Sequence, residues 1–492
     1  MAINGGPNLN SVPAAQKQAL STNYLDLANS SNAGWSQQYL PDLMEKEAEV
    51  FGPRTISGFL AQVGAEEAMT ADQVVWSEQG RLHLSYKAKI TADDTILLQS
   101  DIDETNYVAA GLDIDHGVRV ADTIIVSNAN GVFKCRVTSI ANNDALTVAR
   151  YDAQTLAALN TNKTSTVLVY GSEYAKGTAY DNAAGNSQLQ ERHQANEPDF
   201  KTFQNKPIIM KDYYEISGSD ASKIGWVEVS TEGGQGGYLW YLKAESDTRA
   251  RFNDYIEMSM LESVRGGTDN VVDSALGFSG NDTSAGTQGL FDAIEDRGNV
   301  TTGVTGVNAA TDLAEFDAIL AEFDKQGAIE EYMMFVNRST SLAMDDMLAS
   351  MNSYGAGGTS YGVFNNDESM ALNLGFAGFR RGSYDFYKSD MRYLNDKATR
   401  GGINAAAGTG AIRGVMIPAG TSSVYDQTVG ASMKRPFLHV RYRASQTDDR
   451  RMKTWTTGSV GAATSALDAM SIHMLTERCL ITQGANNFML MK

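Results

Sequence analysis

Cysteine is scarce in this chain of 492 residues, which contains only Cys135 and Cys479, far apart in unrelated segments. Disulfide-stabilised domains carry closely spaced cysteine pairs, so the sequence predicts no disulfide scaffold and favours a reducing compartment. The opening stretch, MAINGGPNLNSVPAAQ, has no basic segment followed by an apolar core, and no signal peptide is predicted. We therefore expect a soluble protein made in the cytoplasm.

Long apolar runs and basic residues are also lacking. No apolar run approaches the ~20 residues that a membrane-spanning helix needs, so no membrane association is predicted. Forty Lys and Arg residues stand against 59 Asp and Glu residues, which gives a net charge of −19. Because proteins that follow the phosphate backbone need clustered Lys and Arg, this balance disfavours broad nucleic-acid binding. DNA near such a protein is expected to be contained rather than gripped.

Motifs for catalysis, cofactors and metals are sparse. The five histidines are scattered without zinc-ligand spacing, and no Gly-Lys-Ser/Thr phosphate loop occurs. Residues 358–362, GTSYG, match the G-x-S-x-G nucleophile motif, but a Gly-rich stretch takes the place of the strand that this motif requires. The acidic stretch 93–115 lacks the ligand pattern of a calcium loop and is interpreted as a solvated face, with cation binding as the alternative. We predict no catalytic, cofactor-binding or metal-binding residue, and no cofactor.

The first 50 residues contain few apolar side chains, among them Trp35 and Tyr39. Such a segment cannot bury enough surface by itself to offset its ordering entropy. We predict an arm that docks on the chain's own body or on a neighbouring subunit; a disordered tail is the alternative.

Alternating apolar and polar residues follow. RLHLSYKAKI, residues 81–90, alternates Leu82 and Tyr86 with polar partners, which predicts an extended strand with one face to cover. From about 91 to 170, short β-branched runs separated by Asn-rich turns predict a small antiparallel barrel or sandwich.

Helical periodicity is strongest at residues 237–265, where apolar positions recur every three or four residues; this predicts a helix of roughly 40 Å. A second helix, with Thr311 as its candidate N-cap, a strand EYMMFVN and a third helix STSLAMDDMLASM predict an α+β unit in the second half. The last residues, TERCLITQGANNFMLMK, alternate on either side of a Gly-Ala-Asn-Asn turn and predict a β-hairpin.

One basic patch departs from the acidic average. It lies in KRPFLHVRYRASQTDDRRMK, residues 434–453, and contains Arg441, Arg443, Arg450 and Arg451. Interleaved aromatic residues are compatible with nucleic-acid contact. A basic patch on an acidic protein also complements the acidic surface of a neighbouring copy, and we favour this second interpretation.

The order of these elements resembles the major capsid proteins of tailed bacteriophages, with the Hong Kong-type fold. GVFKCRVTSIANNDALTVARYD (131–152) and VLVYGSEYAKG (167–177) are similar to a barrel-like insertion in the extended loop of one capsid group. DLAEFDAILAEFDKQGAIEEYMMFVN resembles the helix and strand of that group's inner domain, and RPFLHVRYR with TERCLITQGANNFMLMK resembles its closing region. Within the family, the crAss-like phages of gut bacteria are the group that the chain resembles.

The resemblance implies an α+β fold with an N-terminal arm, an extended β loop, a long spine helix and a small β-barrel-like insertion. It implies this division: arm 1–50; extended loop 51–205 with the inserted module at about 91–170; peripheral domain 206–310 with the spine helix at about 237–265; inner axial domain 311–430; return to the body and C-terminal strands 431–492.

The implied function is self-assembly into hexamers and pentamers of an icosahedral phage head, located in the virion, that encloses packaged double-stranded DNA. Portal, scaffold and decoration proteins are the implied partners. A virion decoration or other surface structural protein is the alternative, and a hydrolase is the third hypothesis. The residues expected at contacts between subunits are Trp35, Tyr39, Trp76, Leu82, Tyr86, Arg441, Arg443, Arg450 and Arg451.

Overall fold

The computed structural model describes residues 65–78, 83–92, 94–102, 116–141, 145–152, 156, 164–176, 201–219, 229–230, 236–237, 239–267, 271–277, 285–306, 308–326, 329–351, 378–405, 408–419, 421–425, 432–460 and 463–492. The predictions made for Trp35, Tyr39, Leu82 and the GTSYG stretch, and for most of the acidic stretch 93–115, lie outside these residues. The chain divides into two compact units: Ser77–Phe203 form one, and the segments on either side form the other.

The fold is α+β. The strands, in chain order, are β1 (Ala65–Met69), β2 (Val74–Glu78), β3 (Ser85–Ala92), β4 (Thr95–Asp101), β5 (Asp122–Asn128), β6 (Gly131–Ile140), β7 (Ala145–Arg150), β8 (Thr164–Ser172), β9 (Lys201–Asn205), β10 (Ile208–Ser217), β11 (Val229–Ser230), β12 (Gly236–Gly237), β13 (Asn299–Thr301), β14 (Glu331–Val336), β15 (Gly378–Arg381), β16 (Tyr384–Asp390), β17 (Gly414–Pro418), β18 (Thr421–Tyr425), β19 (Ser432–Pro436), β20 (Leu438–Arg443), β21 (Lys453–Gly458), β22 (Ala469–Thr482) and β23 (Met489–Met491). The helices are α1 (Leu239–Glu262), α2 (Val272–Leu276), α3 (Leu290–Arg297), α4 (Ala309–Gln326), α5 (Arg338–Met351), α6 (Arg392–Asn395) and α7 (Arg400–Asn404).

Six antiparallel strands of the Ser77–Phe203 unit close into a barrel, in the order β3-β4-β7-β6-β5-β8. Side chains alternate along each strand, so Tyr86, Ala88 and Ile90 of β3 are buried in the interior while Lys87 and Lys89 are partly exposed. The predicted small barrel is confirmed. Its first strand begins at Ser85, so the barrel itself covers one face of the strand that RLHLSYKAKI predicts.

A five-stranded sheet is built around β22, a strand of 14 residues. The order is β1-β20-β22-β10. β21 pairs with the first half of β22, along the same side of β22 on which β20 pairs with its second half. Helix α1 packs on one face, where Phe252 and Ile256 meet Met474. The predicted long helix is confirmed, and its apolar stripe, including Met260, is buried as the 3.6-residue period requires.

A mixed six-stranded sheet, in the order β13-β23-β17-β14-β16-β15, is apolar on both faces. Phe335 of β14 and Leu490 of β23 face a core that includes α3, whereas Met334 and Met416 face α4 and α5. All five residues of β17 are buried, which explains the unbroken apolar run in GVMIP.

Two predictions about chain ends and caps were wrong. The C-terminal strands do not form a hairpin: β22 belongs to the five-stranded sheet, and β23 pairs with β13 and β17 in the six-stranded sheet. Gly484, with φ +60, lets the chain turn from one sheet to the other, where a side chain would strain the backbone. Asn308, not Thr311, caps α4, because Asn308 Oδ1 accepts a hydrogen bond of 2.9 Å from Ala310 N.

Candidate functional site

The predicted basic patch lies where β1, β20 and β22 come together. Arg441 and Arg443 lie on β20, and Arg450 and Arg451 follow the turn after that strand. Because β1 pairs in parallel with β20, Glu67 lies directly opposite Arg441. Strand pairing therefore places carboxylates from an early segment of the chain beside arginines from a late one.

The contacts on β1 are ion pairs. Arg441 Nη2 lies 2.8 Å from Glu67 Oε2. Glu66 receives two arginines: Arg451 contacts its Oε2, and Arg478 Nη1 lies 3.2 Å from its Oε1. Both carboxylates of β1 are thus held by residues of β20, of β22 and of the segment before β21.

Glu477 of β22 is the centre of a second group. Arg443 Nε lies 3.2 Å from Glu477 Oε1, and Arg450 contacts Oε2. The Glu477 side chain is only 7% exposed, and a buried carboxylate of this kind needs its partners to offset lost hydration. Arg443 also contacts Asp72, whose side chain is 93% exposed. We call the residues of both groups the arginine network; they are Glu66, Glu67, Asp72, Arg441, Arg443, Arg450, Arg451, Glu477 and Arg478.

Arg478 is the most enclosed arginine of this network. Its guanidinium donates to Thr476 Oγ1 at 2.9 Å and to the carbonyl of Arg451 at 2.7 Å, besides pairing with Glu66. Burial lowers the pKa of Arg478, and the carboxylate of Glu66 acts in the opposite direction. All the hydrogen bonds and the ion pair that the structure records for this guanidinium are therefore made within its own chain.

The arginine network gives the four predicted arginines carboxylate partners within one chain. Each of the four predicted arginines contacts a carboxylate of its own chain. Sequence inspection missed these partners, because Glu66 and Glu67 lie in the short strand AEEAM, whose pairing with β20 leaves no local pattern. These four arginines therefore have carboxylate partners without nucleic acid or the acidic surface of another copy.

The structure places two predicted contact residues inside their own chain. Trp76 is buried, and the guanidinium of Arg297 lies 5.7 Å from its ring centroid. Tyr86 lies in the barrel interior, where its Oη accepts a hydrogen bond of 2.8 Å from Gly117 N. Burial raises the pKa of Tyr86. Both rings contribute to packing within a unit instead of facing outward.

Three aromatic rings line up across the face of the five-stranded sheet that lies opposite α1. Tyr213 of β10, His473 of β22 and Trp455 of β21 are direct cross-strand partners, with ring centroids 6.1 and 5.2 Å apart. Thr457 Oγ1 lies 2.7 Å from His473 Nε2 and orients the middle ring. We call these three rings the aromatic ladder. The Tyr213 side chain is 60% exposed and Ile209 on the same face is also exposed, so this face presents apolar surface outward.

Helix α2 is a second apolar surface. None of its residues is buried, Val271 just before it is 82% exposed, and Leu276 is 59% exposed. Asp273 accepts a hydrogen bond from Ala285 N, and Gly277, with φ +76, ends the helix. The helix is therefore held at its first turn by Asp273, while its apolar side chains are exposed in the described part of the chain.

Nucleophile and metal chemistry find no support in the described part of the chain. Burial raises the pKa of the Cys135 thiol to about 11 and that of Cys479 to about 12, so both stay protonated near neutral pH and react poorly. Among the described residues, no group of His, Cys, Asp and Glu is placed to hold a metal ion. None of the described helices combines the length and apolar character needed to cross a bilayer.

Comparison with known proteins gives structural matches alone, since no family model and no curated protein matches the chain. A structure from Mycobacterium phage Ogopogo is 9% identical, with 93% of this chain and 98% of that chain covered and a TM-score of 0.38. The mature capsid of bacteriophage PhiM1 is 9% identical, with 92% of each chain covered and a TM-score of 0.36. The capsid of cyanophage P-SCSP1u is 7% identical, with 93% of each chain covered and a TM-score of 0.37. These TM-scores are too low for the matches to carry an argument, and the function proposed below rests on the chain itself.

Proposed function

We propose that the chain is a major capsid protein, a subunit that assembles with its own copies into hexamers and pentamers of an icosahedral shell around packaged double-stranded DNA. The observation that carries this proposal is the apolar surface that the folded chain leaves outside its cores. Helix α2 buries none of its residues, and Tyr213 and Trp455 of the aromatic ladder, with Ile209, are exposed on the sheet face opposite α1.

Single exposed apolar side chains are ordinary on monomeric proteins, but grouped ones mark contact surfaces. A five-residue helix is marginal in water, because helices gain most of their stability by packing an apolar face. Helix α2 has such a face and packs it on no described part of its own chain. Copies of the subunit supply the missing cover in a closed shell, where each surface is used once per subunit.

The distribution of charge supports a container. The net charge is −19, and the arginines of the basic patch are paired with carboxylates of their own chain. A wall with this charge repels the phosphate backbone, so it encloses DNA without holding it in a fixed register.

The proposal includes further parts. The shell is built in the host cytoplasm and becomes part of the virion, with portal, scaffold and decoration proteins as partners. Trp35 and Tyr39 of the arm, and Leu82 before β3, make straps between subunits. Trp76, Tyr86 and the arginine network hold the segments that carry those straps.

Electron microscopy and mass photometry of the purified protein test the proposal. Rings and closed particles are expected, whereas a uniform population of about 53 kDa would contradict it. Nuclease-protected DNA in particles from infected cells distinguishes a phage head from a compartment that holds protein cargo. Deleting residues 1–40 is expected to give soluble subunits that fail to close; normal shells from that variant would remove the strap role of the arm.

A further inference from the structure

An open groove of about 770 Å³ lies beside the end of α1. Met258 of α1, Tyr393 of α6 and Ile403 of α7 supply its apolar lining, and Lys397 and Arg400 supply its charged lining. Ile403 is 54% exposed, so part of the apolar lining faces solvent. We call this the α7 groove.

The walls of the α7 groove are firmly held. Tyr393 Oη donates to Glu262 Oε1 at 2.8 Å, and Arg400 Nη1 lies 2.8 Å from Glu262 Oε2. Thr399 Oγ1 donates to the carbonyl of Tyr393 at 2.7 Å, which joins two lining residues of the groove. A groove built on such contacts keeps its shape before anything binds, so a ligand does not have to order it.

The polarity of the groove selects the kind of occupant. The positive charge of Arg400 is offset by Glu262, so the charge that the lining presents is mainly that of Lys397. The occupant should therefore be apolar, small in cross-section and acidic at its edge. Helix α2 has this composition: Val271, Val272 and Leu276 are exposed, Asp273 is its one charged residue, and no basic residue occurs in it.

From this complementarity we infer that α2 of one copy docks in the α7 groove of a second copy. The inference rests on the proposed function and names the contact between neighbouring subunits. Within its own chain α2 buries no residue, so it does not occupy its own groove. A contact between two different surface elements, here α2 and the groove, is head-to-tail, and such contacts generate rings when the rotation between copies closes.

A bulky apolar anchor in a pocket typically carries a large share of an interface's binding energy. Replacing Leu276 with Asp puts a charge on the apolar side of α2. We expect Leu276→Asp to raise the concentration needed for half-assembly by about 30-fold or more. The matched control is Leu467→Asp, the same substitution at a leucine that is 52% exposed elsewhere, with an expected change within about twofold.

Cross-linking tests the geometry directly. Copies carrying Leu276→Cys are mixed with copies carrying Ile403→Cys and treated with a short bifunctional maleimide. Both native cysteines are buried, so they do not compete for the reagent. A cross-linked dimer is expected from the mixture and not from either variant alone, because the contact joins two different surfaces.

The outcomes separate this contact from the function. Normal rings from Leu276→Asp, or no cross-linked dimer from the mixture, would overturn the α2 contact while leaving the shell subunit in place. Dimers from Leu276→Cys alone would also overturn it, since they would show α2 pairing with α2. A wild-type chain that stays monomeric would refute the contact and the proposed function together.

Discussion

Replacing Glu477 with Gln removes one charge from the centre of the arginine network and keeps the shape of the side chain. Glu477 is 7% exposed and accepts contacts from both Arg443 and Arg450. After the substitution, the two guanidinium groups no longer share a carboxylate. Each keeps one other carboxylate nearby: the exposed Asp72 contacts Arg443, and Asp448 lies 4.0 Å from Arg450 Nε.

The expected cost follows from burial. Removing one partner of a fully buried ion pair costs about 3–5 kcal/mol. Both arginines are partly exposed and recover some hydration, so we expect Glu477→Gln to lower the free energy of unfolding by about 2–4 kcal/mol. With a denaturant slope of ~3 kcal/mol per molar urea, the unfolding midpoint shifts by about 1 M.

Tryptophan fluorescence in urea measures this change in the structural unit that contains the arginine network. All five tryptophans lie outside Ser77–Phe203, so their emission reports on the unit that contains the arginine network and not on the barrel. The shift of the midpoint then refers to this unit and not to the barrel.

The control is Asp72→Asn, which removes the other carboxylate in contact with Arg443. Because Asp72 is 93% exposed, water and salt already screen its charge, and no measurable loss of stability is expected. Equal midpoints for Glu477→Gln and Asp72→Asn would refute the view that burial makes Glu477 the centre of the network.

Four further predictions follow from the fold and the charges. Leu490→Asp buries a charge between β13 and β17 and should give insoluble protein, whereas Leu467→Asp should stay soluble, as a solubility assay will show. Arg413→Ala removes donors to the carbonyls of Thr302, Gly303, Val304 and Lys492 and should cost about 2–4 kcal/mol in urea unfolding, against no measurable loss for Arg380→Ala on the surface. The thiols of Cys135 and Cys479 should react with a chromogenic disulfide at pH 8 only after unfolding. Burial raises the pKa of Cys135 from 9.0 to about 11 and that of Cys479 to about 12. The stability that the two neutral thiols contribute is therefore complete below pH 9 and is lost as the pH rises through about 11 and 12. Added salt should lower the protein concentration needed for assembly, as light scattering will show, because salt screens the repulsion between copies of charge −19; a higher required concentration would indicate contacts made by ion pairs instead.

Sequence periodicity was sufficient to predict α1 and the barrel. Helix α1 was predicted because its apolar residues recur with the helical period, and Phe252, Ile256 and Met260 are buried as that period requires. The barrel was predicted because its strands are short and rich in β-branched residues, and three of its pairs, β3–β4, β5–β6 and β6–β7, join strands that follow one another in the chain. The pairs β4–β7 and β5–β8 join strands that are not consecutive, and the sequence pattern did not specify them.

Pairing between distant segments was not predictable in the same way. The strands on either side of Gly484 have the pattern of a hairpin, and an alternating strand does not specify which neighbour it pairs with. In the structure, Leu490 pairs with Val300 and Val415, both remote in sequence. Phe488 and Leu490 are nonetheless buried, because the six-stranded sheet and the core on its face cover them within their own chain.

The basic patch shows the same limit for charges. Sequence inspection identified Arg441, Arg443, Arg450 and Arg451 as exceptional in an acidic chain, and it looked for their partners outside the chain. The partners are Glu66, Glu67 and Glu477, with exposed Asp72, and long-range strand pairing brings them to the arginines. Net charge and clustering therefore identify residues that need partners, but only tertiary structure shows whether the same chain provides them.

The arginine network gives β1 a register that backbone pairing alone would not fix. β1 has five residues and adds to the sheet in parallel, the less stable kind of pairing. In the observed register Glu66 reaches Arg478 on the face of Val440, and Glu67 reaches Arg441 on the opposite face. A slip by one residue would move each carboxylate to the opposite face, so neither arginine would keep its present partner, and the buried Met69 would change faces as well.

This register matters because β1 connects the residues before it to the Ser77–Phe203 unit after it. In the proposed shell, both of those parts make contacts between subunits, so tension on either one is transmitted to a five-residue edge strand. Ion pairs from two other strands resist that tension better than parallel pairing alone, because sliding β1 would break them on both faces of the sheet together. We therefore propose that the arginines serve assembly by fixing the strand from which the contacting segments extend.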